Sequence, residues 1–205
     1  MTSEPNSVEL FLHIAGVIGM FVGYGALVLG TVALQRARTV DEVRTLAAVL
    51  TRGRRIGFEH ISVIDVIVVA SVLLIAVTGL HMASYTGDWR SGWAEVAIAT
   101  FVLLAPIGPL VINPRLHAIS RIANEASPDE VTDRLRARLT DRILIGSLRG
   151  SFAVLVGLVF LMAVKPALGW SVVVVILAVA VGIGAGLISR SGGSRLQAAP
   201  RMRSQ

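Results

Sequence analysis

Residues 8–34 read VELFLHIAGVIGMFVGYGALVLGTVAL. The only charge in this stretch is Glu9, at its start. A helix rises 1.5 Å per residue and the hydrocarbon layer is ~30 Å thick, so about 20 apolar residues cross it. This stretch is long enough to span a bilayer, and four others follow it at 61–82, 93–112, 147–164 and 166–188. The fourth can equally begin at Ile143, because Arg149 lies within its first turns. The fourth and fifth form a tight hairpin at Lys165-Pro166.

Composition agrees. Of 205 residues, 54% are hydrophobic and 16% charged, and the mean hydropathy is +0.74. An average soluble domain carries about 25% charged residues. A soluble fold of this chain would lack polar residues to coat its surface, and so apolar a chain does not stay disordered. The expected fold class is therefore all-α, a polytopic membrane helix bundle of five transmembrane helices. It forms one domain over 1–189, followed by a disordered basic tail at 190–205.

The net charge is +6. Taken alone it would suit nucleic acid or anionic lipid. Its placement decides for topology and against nucleic acid. Counting Lys and Arg from the N-terminal tail through each connection to the C-terminal tail gives 0, 6, 1, 7, 1, 4. Basic residues favour the cytoplasmic side, so the N-terminus is expected outside and the C-terminus in the cytoplasm of a bacterial inner membrane. Trp89, Trp93 and Trp170 fall at the outer ends, where interfacial aromatics belong. The first span has no basic leader and too long an apolar run for a cleaved signal peptide. With no Cys, thiolate chemistry and disulfides are excluded.

Two cytoplasmic amphipathic helices are expected. Thr39 and Glu42 have capping-box spacing ahead of Val43, Leu46, Ala47 and Leu50. Ser127, Pro128 and Glu130 would cap a second helix carrying Val131, Leu135 and Leu139, running on into the fourth span. The phrase Asp41-Glu42-Val43 recurs as Asp129-Glu130-Val131. Either the chain is a parallel duplication, as in some transporters, or capped helices have converged on one phrase.

Few residues could carry chemistry. His13 enters the first span on a stripe with Gly16, Met20, Gly23, Leu27 and Gly30. Small residues admit a neighbouring helix, so His13 should face the bundle. His81 closes the second span at the same outer end, followed by Met82. Two histidines at matching depth can ligate a haem iron, or copper with help from Met82. The plainer alternative is hydrogen bonding between helices. Asp65, a turn into the second span, is expected to pair with Arg149 at similar depth, because an unpaired charge in hydrocarbon is costly. Pro106, Pro109 and Pro114 should kink the end of the third span. Gly182, Gly184 and Gly186 read as helix packing, since no strand precedes them.

Several short motifs resemble small bacterial membrane proteins of unknown function: Leu12-His13-Ile14 followed by glycines, the Arg-rich inner loop, Thr78-Gly79-Leu80, and Phe160-Leu161-Met162-Ala163-Val164-Lys165-Pro166. The resemblance covers roughly 8–166. More remotely, a first-helix His followed by small residues resembles the copper-resistance D membrane domain and the small membrane-bound protoporphyrinogen oxidase. It implies membrane placement and a histidine of interest at His13. The oxidase family also has a Lys within a later span, whereas here the one Lys is Lys165 at the hairpin.

Three readings of function follow. The first is a haem or metal site near the outer face. The second is a non-catalytic subunit or assembly partner of a larger membrane complex. The third, resting on the repeat, is a small-solute or ion transporter. The certain partner in each is the lipid bilayer.

Overall fold

The structure is a computed structural model that describes residues 6–51, 62–87, 90–127 and 131–188. It is all helical. Helix α1 spans Ser7–Arg36, α2 Val40–Thr51, α3 Val63–Thr86 and α4 Gly92–Leu104. A π-helical turn at Gly108–Ile112 leads into α5, Asn113–Glu125. Then come α6 at Asp133–Leu139, α7 at Arg142–Val164 and α8 at Leu168–Ile188.

Four stretches are long and apolar enough to cross a membrane: α1, α3, α4 continued through α5, and α6 continued through α7. The fifth apolar helix, Leu168–Gly184 within α8, is shorter than these.

Glycines set the main helix pairs. In α1, Gly16 abuts Ile75, Gly19 abuts Ser71 and Gly23 abuts Val68. Partner numbers fall as α1 numbers rise, so α1 and α3 run antiparallel. A Cβ at Gly23 would lie 2.5 Å from a Val68 methyl. Only glycine admits this approach, which is how membrane helices gain van der Waals contact without a hydrophobic driving force. Helices α7 and α8 form the expected hairpin through Lys165, which caps α7 in the left-handed region at φ 49°. Deeper in this hairpin, a Cβ at Gly182 would meet the backbone of Gly150 at 2.5 Å.

One end of the bundle gathers the start of α1, the end of α3, the start of α4 and the α7–α8 turn. There Lys165 Nζ sits 5.0 Å from the Trp93 ring centroid, and Gly92 touches Leu168. The other end collects the Arg-rich segments and carries the inner part of the hydrophobic core. In that core the apolar face of α2 (Val40, Val43, Ala47) packs against Leu116, Ile119 and Ala123 of α5, with Leu135 and Leu139 of α6 also buried. Arg44 holds this cap closed, donating to the carbonyls of Ala123 at 2.8 Å and Ala126 at 2.5 Å, which are orphan acceptors at the end of α5.

The connections depart from expectation in three places. Residues 113–125 form α5 rather than a loop. Pro114 stands at its start, where a missing N–H costs nothing. Second, the helix bearing Leu135 and Leu139 leads into the next span as expected, but through a break at 140–141 rather than as one unbroken helix. It ends at Leu139, and Asp141 caps a new helix by accepting from the Ile143 amide at 2.9 Å. The fourth apolar helix therefore starts at Arg142, beside the Ile143 start and ahead of the Ser147 one. Third, α6 is capped by Thr132, which accepts from the Leu135 amide at 3.3 Å. The Pro128 and Glu130 of the expected cap, the matching part of the repeat, and the 190–205 tail all lie outside the described residues. The α2 cap is as expected on one arm, since Thr39 accepts from the Glu42 amide at 3.3 Å. Glu42 reaches back to the Arg38 amide at 2.7 Å rather than to that of Thr39.

The prolines act together. A proline ring clashes with the carbonyl four residues earlier, and Pro106, Pro109 and Pro114 impose this within nine residues. The chain answers with a turn at 105–106 and then a widened π turn, in which the Asn113 amide donates to the Gly108 carbonyl.

Candidate functional site

Helices α1 and α3 bring two histidines to the same end of the bundle. His13 is buried, with its Nδ1 3.0 Å from Thr78 Oγ1. The Thr78 hydroxyl donates to the Leu74 carbonyl at 2.6 Å. With its only proton used there, Thr78 Oγ1 accepts from His13 Nδ1–H. The Cε1–Nδ1 edge of the ring sits against Gly79, where a Cβ would come within 3.2 Å of His13 Cε1. The Thr78-Gly79 pair thus serves as the seat for this imidazole.

One turn further out, His81 Nδ1 lies 2.5 Å from Glu9 Oε1. The Glu9 side chain is 12% exposed and that of His81 56%. The two histidines therefore take separate partners across the same helix pair. Met82 follows, half-buried. Among the described residues, no group of three or more His, Asp or Glu side chains is placed to hold a metal ion.

Asp65 is engaged otherwise than expected. It is the third residue of α3 and completes a capping box with Ser62. Its Oδ2 accepts from the Ser62 amide at 2.9 Å and the Ser62 hydroxyl at 2.8 Å, while the Asp65 amide donates to Ser62 Oγ at 3.1 Å. Oδ1 accepts from Asn113 Nδ2 at 3.1 Å. Its hydrogen-bond partners are thus Ser62 and Asn113, not Arg149. Placing the start of the span at residue 61 hid the reason, since Asp65 belongs to the helix cap rather than to the hydrocarbon interior. Ser62 three residues before Asp65 was the available signal. Arg149 lies half-buried on α7. The ion pair linking α5 to α7 is Arg115–Asp141 at 3.2 Å.

Midway through the bundle, Tyr24 and Met20 floor a cleft of about 160 Å³ between α3 and α4, walled by Val72, Leu73, Phe101 and Pro109. The Tyr24 hydroxyl faces Ser151, yet Ser151 Oγ has no hydrogen-bond partner among the described residues.

The chemistry on show is small. Among the described residues, His13–Thr78 and Asp65–Asn113 hold helix to helix, Thr31 and Thr51 bond within their own helices, and these groups do not converge on a shared centre. No protein-family model matches this chain, and no curated protein or solved structure matches it. What the structure supports is a helical, multi-pass membrane protein in contact with the lipid bilayer.

Proposed function

We infer that this chain is a five-span protein of a bacterial inner membrane, N-terminus outside and C-terminus in the cytoplasm, acting as a non-catalytic subunit or assembly partner of a larger membrane complex. One observation carries the non-catalytic reading: His13, His81 and Asp65 are each tied to a separate neighbour rather than to a common centre. The orientation rests on the charge alternation, with the basic connections at the end that holds α2, α5 and α6. The surface offered to a partner is α3. It packs chiefly on α1 and leaves Val66, Val69, Leu73 and Val77 exposed beside the cleft to α4.

The chain has no Cys, so single cysteines bearing a photocrosslinker can be placed at Val69, Leu73 and Val77, with Ile176 and Leu177 on α8 as controls. The reading expects adducts with one membrane protein from the α3 positions only. Lipid adducts at every position, or the same proteins at α8, would reject it. For topology, a cysteine at Gly87 should react with a membrane-impermeant reagent in intact cells.

A second reading keeps the outer histidines as a haem or copper site formed by His13, His81 and Met82. Each imidazole has its Nδ1 held by a side chain of the opposite helix, as ligating histidines have when Nε2 faces a metal. An optical spectrum and metal analysis of the purified protein, with His13→Ala and His81→Ala, decide it. A haem band or stoichiometric copper lost in both variants supports this reading, and a colourless, metal-free protein removes it.

A further inference from the structure

We propose that the groove between the inner end of α1 and α2 binds a zwitterionic phospholipid whose headgroup carries a primary amine, of the phosphatidylethanolamine class. The groove is open to the surroundings and has a volume of about 820 Å³. Its lining divides by chemistry: Leu29, Val32, Ala33 and Leu46 are apolar, while Arg36, Asp41 and Glu42 bring charge to its polar part.

Depth places this division at the membrane surface. Helix α1 has 30 residues, about 45 Å at 1.5 Å per residue, against a hydrocarbon core of ~30 Å. Its last turns therefore stand in the headgroup layer, with Leu29 still facing acyl chains. Gly30 allows α2 to lean in. A Cβ there would meet Leu50 at 2.6 Å, and this approach holds α2 against α1 next to the groove.

The charges are complementary to one headgroup class. Arg36 has no hydrogen bond or ion pair among the described residues, and a guanidinium suits a phosphate. Asp41 uses Oδ1 on Arg44, and Glu42 uses Oε2 on the Arg38 amide. Each carboxylate keeps its other oxygen for a donor. A phosphate on Arg36 with an ammonium on Asp41 and Glu42 satisfies both signs. An anionic headgroup would set its charge against two carboxylates. A choline headgroup has the cation but no N–H to donate.

The test uses the full chain purified in detergent, with retention of added palmitoyl-oleoyl phosphatidylethanolamine, phosphatidylcholine and phosphatidylglycerol measured by native mass spectrometry. Phosphatidylethanolamine should bind about tenfold more tightly than either other lipid, the gain of one charge-assisted hydrogen bond pair. Arg36→Gln should weaken both zwitterionic lipids about tenfold. Asp41→Asn with Glu42→Gln keeps the acceptors that Arg44 and the Arg38 amide use, and should erase the preference over phosphatidylcholine. A diazirine-bearing phosphatidylethanolamine should label wild-type protein within 29–46, a readout independent of how the variants fold. Equal or tighter binding of phosphatidylglycerol or phosphatidylcholine overturns the proposal. So does undiminished binding in Arg36→Gln, or labelling spread evenly over all helices.

Discussion

Gly182→Ala is the most exacting perturbation of the α7–α8 hairpin. An added Cβ would lie 2.5 Å from the Gly150 Cα and 2.9 Å from the Arg149 carbonyl oxygen. Carbon atoms in contact prefer about 3.5–4.0 Å, so the two backbones must part by roughly 1 Å. Neither neighbour is a side chain that can rotate away. Overpacking of this kind costs about 1–3 kcal/mol. Alanine also gains about 1 kcal/mol over glycine in helix propensity, which partly masks the loss. Gly184→Ala removes the ambiguity. It makes the same propensity gain on the same helix, and nothing lies within 4 Å of its Cβ. The difference between the two variants is then the packing cost alone, about 1–3 kcal/mol. At roughly 2–4 °C per kcal/mol for a chain of this size, Gly182→Ala should melt about 5 °C below Gly184→Ala in detergent. Gly150→Ala should resemble Gly184→Ala, because its own Cβ points into open space. Equal melting of Gly182→Ala and Gly184→Ala would refute the claim that this crossing is set by backbone contact.

Further outcomes are expected elsewhere. Thr78→Val removes the hydroxyl that pairs with His13 Nδ1 and should destabilise by about 1–3 kcal/mol in thermal unfolding; Thr78→Ser should restore most of it. A double-mutant cycle between Asp65 and Asn113 should give a coupling of at least ~0.5 kcal/mol, whereas Asp65 with Arg149 should be additive within ~0.5 kcal/mol. Glu9→Gln should shift unfolding by less than ~1 kcal/mol, because the His81 side of that pair is largely solvated.

The membrane helices were legible because each is a long run of one chemical character. The α7–α8 hairpin and the gathering of basic segments at one end follow from the same reading. The inward stripe of His13 and Gly16 was legible for a related reason, since a row of small residues has one physical use in a membrane. Four helices are long and apolar enough to cross a membrane among the described residues, and the fifth, α8, is apolar over Leu168–Gly184. The inner end was harder to read. Leu116, Ile119, Ile122 and Ala123 repeat at helical spacing, but three prolines ahead of them suggested an ending rather than a fresh start. The Asp65–Arg149 expectation rested on depth and opposite charge, which do not give lateral position. Ser62 and Asn113 are nearer, and a carboxylate takes the donors its own helix end supplies. Separate partners for His13 and His81 could not be read from spacing either, since they depend on which residue of the facing helix stands opposite.

The Arg44 clamp joins segments that leave the ribosome at different times. The α1–α3 pair is complete once Thr86 has been made, whereas the apolar face of α2 is covered by residues as late as Ala126. At a synthesis rate of about 5–20 residues per second, the ~75 residues after Thr51 take roughly 4–15 s. For that interval Val40, Val43 and Ala47 are made but lack their α5 cover. The inner cap is thus a late-closing unit, and a ribosome stalled between the end of α3 and the end of α5 would hold a finished membrane hairpin beside an unfinished, sticky helix.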